Sequence, residues 1–128
     1  MGGARVIPIF YNDSQEKIKE KLRYLNGVLF TGGRTEIVLP NSNLLSPYGE
    51  AVQTILQHSQ IEMDAGRFFP VWGTCLGYQA ISIVMTNNTK VLGESNARYV
   101  SLKLDFTAEA KNSRLFRNID PALATAVS

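Results

Sequence analysis

Short runs of consecutive apolar residues alternate along this chain with stretches in which apolar residues recur every three or four positions. Arg5 to Phe10 is the first run and predicts a strand. Asp13 and Glu16 have the spacing of a capping box and predict a helix start. In that helix Ile18, Leu22 and Leu25 form one apolar stripe, while Lys17, Lys19, Glu20, Lys21 and Arg23 make a solvated face. Gly27 to Thr31 predicts a second strand, apolar throughout, as in a sheet covered on both faces. It stops at Gly32-Gly33.

Asn41 to Ser46 is a polar loop that leads to Pro47. A helix is expected from about Tyr48 to Met63, with Val52, Ile55 and Leu56 on its buried side, ended by Asp64-Ala65-Gly66. Phe68 to Trp72 predicts a third strand, and Leu76 to about Met85 another helix. Asn87-Asn88 signals a turn. Lys90 to Gly93 and Tyr99 to Phe106 read as strands. In the second, Val100, Leu102, Leu104 and Phe106 share a face. Asn112 to Phe116 reads as a helical turn, and Pro121 as the first residue of a further helix. Strands that alternate with helices predict an α/β, three-layer, doubly wound and mostly parallel sheet. Ligands bind such sheets at the carboxyl ends of strands. Both Gly32-Gly33 and Cys75 fall at such ends and are expected to share one cleft.

Composition narrows the picture. The 128 residues suit at most one domain, and 45% hydrophobic with 19% charged residues is globular. The formal charge is +2, and Arg5, Arg34, Arg67, Arg98, Arg114 and Arg117 are scattered, which argues against a nucleic-acid partner. One cysteine excludes an internal disulfide scaffold. No apolar run is long enough to span a bilayer. The start, MGGARVIPIF, lacks the pattern of a signal peptide, and Val6 breaks a myristoylation motif. Asn12-Asp13-Ser14 and Asn87-Asn88-Thr89 are glycosylation triplets. Such triplets are common by chance and carry no weight unless the chain is secreted.

The densest chemical signal is Phe69-Pro70-Val71-Trp72-Gly73-Thr74-Cys75-Leu76-Gly77. A strand that runs into Gly-x-Cys-x-Gly and then a helix is the layout of a nucleophile elbow, with Cys75 as the nucleophile. Glycine on both sides lets strand and helix backbones meet. The partial positive charge of the helix start favours a negative sulfur there. The bland alternative is a buried core thiol. A cysteine nucleophile also needs oxyanion donors and a base. The Leu76 N–H, just after the nucleophile, is one candidate donor. The Gly33 N–H is the second, unless Gly32-Gly33 is only a tight turn. The lone histidine, His58, lies about 15 Å along its helix from the helix start, on the descending half, and reads as a surface residue rather than the base. Glu94, Asp105 and Glu109 follow the elbow helix, but carboxylates are weak bases for a thiol.

Four segments together resemble the γ-glutamyl hydrolases: Gly27-Val28-Leu29-Phe30-Thr31-Gly32-Gly33, the Phe69–Gly77 stretch, Leu104-Asp105-Phe106-Thr107 and Ser113-Arg114-Leu115-Phe116. These are cysteine peptidases of the class I glutamine amidotransferase-like superfamily, with a flavodoxin-like fold. The resemblance runs from about Gly3 to Leu123. It implies attack by Cys75 on the γ-amide carbonyl of a folyl-poly-γ-glutamate, with the oxyanion on the amides of Leu76 and Gly33. It further implies substrate contacts at Gly32, Gly33 and Gln79, where the family often carries an acidic residue. No metal and no cofactor is implied; a lysosomal, vacuolar or secreted location is. The family also has a strand and helix before Gly3, and past Ala124 a Trp-His-Pro-Glu-like motif with the catalytic histidine. The chain is therefore expected to be a single, truncated domain over residues 1–128, feebly active alone and prone to dimerise or self-associate. Other readings remain open: a binding or regulatory relative without turnover, a glutamine amidotransferase-type domain, or a redox-sensing thiol protein.

Overall fold

The computed structural model describes residues 3–94, 96, 100 and 105–119. The chain divides into two compact units, Met1–Gly93 and Glu94–Ser128. In the first, helix α1 (Gln15–Leu22), strand β1 (Val28–Phe30), helix α2 (Pro47–Asp64), strand β2 (Val71–Gly73) and helix α3 (Leu76–Thr86) follow in order. β1 and β2 pair in parallel, Val28 opposite Val71, Leu29 opposite Trp72 and Phe30 opposite Gly73. α1 packs on α2, α2 on α3, and α3 on both strands.

Period decides what is buried. Ile18 and Leu22 of α1 meet Val52 and Ile55 of α2, and Ala80 and Ile83 of α3 close the core around Phe30 and Phe69. Each of these pairs is three or four residues apart on its helix, so a single stripe faces inward. Phe69 is capped on one side by the His58 ring, edge-on at 4.9 Å between centroids. The Ser59 hydroxyl donates to its carbonyl at 2.8 Å.

Several expectations need correction. Arg5 to Phe10 forms no strand among the described residues. It is held instead by Lys21, whose ammonium donates to the Pro8 carbonyl at 2.8 Å and lies over the Phe10 ring. Ser14, not Asp13, caps α1: its hydroxyl accepts the Lys17 N–H. Asp13 binds Lys17 and Lys21, each at 2.6 Å, and accepts the Phe10 N–H. β1 is not covered on both faces. Leu29 is 61% exposed and its register partner Trp72 is 53% exposed, so apolar character there does not report burial. Lys90 to Gly93 forms no strand. His58 is half-buried against Phe69 rather than a plain surface residue.

In the second unit a short 3-10 helix covers Ala108–Asn112, and a turn follows where one was expected over Asn112 to Phe116, with the Arg117 N–H donating to the Ser113 carbonyl at 3.1 Å. Phe106 and Phe116 meet edge-on there at 5.1 Å. Most of the strand expected over Tyr99 to Phe106, and the helix start at Pro121, lie outside the described residues. Among the described residues no helix is long and apolar enough to cross a membrane.

Candidate active site at the start of helix α3

The parallel ladder continues past β2: the Thr74 N–H donates to the Phe30 carbonyl at 2.9 Å. The next residue turns. Cys75 adopts φ 54° and ψ −113°. That is left-handed in φ but outside the small αL well, a conformation that costs about 1–3 kcal/mol in a non-glycine residue. α3 then begins at once. The Cys75 carbonyl accepts the Gln79 N–H at 3.1 Å, and the Thr74 carbonyl accepts the Gly77 N–H at 3.0 Å.

Close packing holds the turn in place. A Cβ on Gly77 would lie 2.5 Å from both the Cβ and the carbonyl oxygen of Phe30. A Cβ on Gly73 would lie 2.6 Å from the Gly77 carbonyl carbon and the Tyr78 nitrogen. Strand and helix thus touch backbone to backbone, which no other residue type permits. The strained Cys75 backbone is the remaining way to join them.

The thiol is exposed, not sealed in the core. Gly32, just beyond β1, faces it: a Cβ there would come within 3.3 Å of the Cys75 Cβ and 3.9 Å of its sulfur. A Cβ on Gly33 would lie 3.6 Å from the Leu76 side chain. Gln79 is exposed one turn into α3. Gly32, Gly33, Cys75 and Leu76 therefore gather at one rim, where both strands end, and Gln79 follows one turn along α3. Unlike most helices, α3 has no side-chain cap. The Gly77 amide is taken by the Thr74 carbonyl, and Leu76, the first residue of the helix, directly follows the exposed cysteine.

His58 is not brought there. It packs on Phe69, at the opposite end of β2 and six residues before Cys75, or roughly 20 Å of extended chain. Glu94, Asp105 and Glu109 belong to the second unit. Glu109 is held below its ordinary range by its own backbone N–H and by the Thr107 hydroxyl, which weakens it further as a base. Among the described residues no group of three His, Cys, Asp or Glu side chains is placed to hold a metal ion. Sequence reasoning missed Phe30, whose carbonyl fixes Thr74 and whose side chain seats Gly77. Its signal was the register between the two apolar runs.

Residues 1–92 match the Peptidase C26 family. The chain belongs to that family. It is 36% identical to gamma-glutamyl hydrolase 1 of Arabidopsis thaliana over 128 residues, 99% of this chain and 34% of that protein. It is 33% identical to the gamma-glutamyl hydrolase of Rattus norvegicus over 126 residues, 98% of this chain and 38% of that protein. For the Homo sapiens gamma-glutamyl hydrolase the identity is 30% over 121 residues, 94% of this chain and 36% of that protein. The chain thus spans about a third of the length of the curated relatives it matches. The matched 92 residues contain the whole first unit except Gly93, including the elbow of this C26 member.

Proposed function

We propose that Cys75 is the nucleophile of a hydrolase acting on γ-glutamyl bonds of folyl-poly-γ-glutamates. The observation that carries the reading is an exposed sulfur on a strained turn at an uncapped helix start, in a C26 family chain. The sulfur attacks the γ-amide carbonyl, and the carbonyl oxygen takes the negative charge onto the Leu76 and Gly33 amides. Collapse expels the glutamate amine with a proton, and water then cleaves the thioester. Gly32 leaves room beside the sulfur for the acyl group, Gly33 and Gln79 border it, and the chemistry uses no metal or cofactor. On this reading the first unit is part of a larger, three-layer doubly wound sheet, and residues 1–128 belong to one hydrolase domain.

The reading assigns the proton acceptor to a histidine other than His58. Loss of one member of a catalytic triad leaves only about 10³–10⁴-fold acceleration over water, so slow turnover is expected of these 128 residues alone. A covalent trap tests the site without needing turnover. A γ-glutamyl substrate analogue with an electrophile at the γ-carbon should label Cys75 with one equivalent, and a polyglutamylated folate should protect it. Labelling that ignores the folate, or falls elsewhere, would sink the assignment.

A second reading, binding without turnover, is favoured by the seating of His58 on Phe69. Calorimetric binding of a polyglutamylated folate with no glutamate released would select it.

A further inference from the structure

From Tyr24 to Thr89 the chain carries two arginines, Arg34 and Arg67, and no lysine. Arg67 is committed to structure: between α2 and β2 its guanidinium donates twice to the Glu62 carboxylate. Arg34 is not. It is exposed, and among the described residues it makes no hydrogen bond or ion pair, Glu36 two residues on included. A surface cation without a partner adds little to stability.

The position of Arg34 is fixed from both sides. Its Cα is about 3.8 Å from that of Gly33, and Gly32 and Gly33 lie against Cys75 and Leu76. On the other side Ile37 is buried and its carbonyl accepts the Ser46 N–H at 2.9 Å. The Glu36 carbonyl accepts the Ser46 hydroxyl. Only Arg34, Thr35 and Glu36 span the two anchors, so the cation stays at the rim where β1 and β2 end. Thr74 to Gln79, the other side of that rim, brings no charged residue.

Each γ-linked glutamate keeps a free α-carboxylate, joined to its γ-carbonyl by a short aliphatic arm. When that carbonyl lies at Cys75 with its oxygen on the Gly33 amide, the carboxylate comes down near the same loop. The planar fork of an arginine matches a carboxylate with two parallel hydrogen bonds. We infer that Arg34 is a specificity-determining residue, which receives the α-carboxylate of the glutamate whose γ-carbonyl is attacked. The inference rests on the hydrolase reading. It adds the group that tells a γ-glutamyl chain from a neutral acyl chain of the same length.

Two probes test it on the 128-residue chain, with labelling of Cys75 followed by intact mass. One is an N-acyl glutamate analogue with an electrophile in place of the γ-carboxyl. The other is its α-carboxamide, neutral and of the same size. The ratio of their second-order labelling rates reads carboxylate recognition and cancels any change in sulfur reactivity. The parent should favour the carboxylate probe, and Arg34→Gln should lower the ratio by about fivefold. The loss should lie in the half-saturating probe concentration and not in the limiting rate. Arg34→Lys should keep part of the preference, and added salt should reduce the parent ratio. A preference that survives Arg34→Gln, or a parent that labels Cys75 equally with both probes, would overturn the role of Arg34 and leave the hydrolase reading standing. Failure of both probes to label Cys75 would remove the hydrolase reading and this inference together.

Discussion

Three helices of the first unit begin in two different ways. α1 and α2 each start at a serine in extended backbone, Ser14 at φ −62° and Ser46 at φ −72°, whose hydroxyl accepts an N–H from the first turn. α3 starts at Cys75, at φ 54°, with no side-chain cap. The serines satisfy helix-start amides that would otherwise lack partners, and they do so in a relaxed conformation. At α3 the chain accepts backbone strain, and no side chain caps the start. A helix end built only for stability would resemble the first two. The third has given up local stability, and it is the one with an exposed nucleophile-type atom beside it. Strain of this kind persists only where the surroundings enforce it.

The sharpest way to break the contrast is to remove that enforcement. Gly77→Ala places a methyl group 2.5 Å from Phe30 main-chain and side-chain atoms, so strand and helix must part. The expected cost is about 3 kcal/mol or more. It should appear as a fall in the urea midpoint together with an altered rate of Cys75 alkylation. A wild-type midpoint would show that the close contact does not hold the elbow.

Ser46→Ala tests the relaxed kind of start. The buried Ser46 hydroxyl donates to the Glu36 carbonyl and accepts the Gly49 N–H, so both would lose a partner. A loss of about 1–2 kcal/mol in chemical denaturation is expected. Alkylation of Cys75 should be unchanged, and a change in that rate would mean the two helix starts are coupled.

At the elbow itself, Cys75→Gly should be more stable than Cys75→Ala by about 1 kcal/mol. Glycine relieves the positive φ, and that relief exceeds its extra freedom in the unfolded chain. Equal midpoints for the two variants would mean the turn is unstrained.

How much of this contrast could be read without coordinates varies from residue to residue. Gly-x-Cys-x-Gly after an apolar run gave the elbow, because the sterics of a strand-to-helix turn are local and leave few residue choices. α2 and α3 were legible for the same reason: their stripes and terminal signals lie within one element. The N-terminal run failed because a strand is defined by its partner, and Arg5 to Phe10 forms no strand among the described residues. Its residues carry strand propensity, yet Lys21 and Asp13 hold them by side-chain contacts that no periodicity announces. Leu29 and Trp72 failed in a related way, since apolar character says a side chain can be buried and not that something covers it. The place of His58 depended on how α2 lies against Phe69, a tertiary fact with no sequence pattern.

The smallest expected effect concerns the charge cluster at the start of α1. Lys17, and then Lys21, hold the Asp13 carboxyl down to about 2 from its ordinary 3.8. A carboxyl depressed on folding adds stability above its unfolded value near 4, and that stability is lost as pH falls through the folded value near 2. Asp13→Asn should therefore lower the urea midpoint slightly at pH 7. The gap to the parent should narrow between pH 4 and pH 2 and close below that, and added salt should shrink it at neutral pH because both lysines are partly in water. Thiol alkylation at Cys75 should not respond, because an electrostatic clamp at a serine-capped start does not set the geometry of the uncapped one. A gap that stayed constant from pH 7 to pH 2 would assign the loss to packing of Asp13 rather than to its charge.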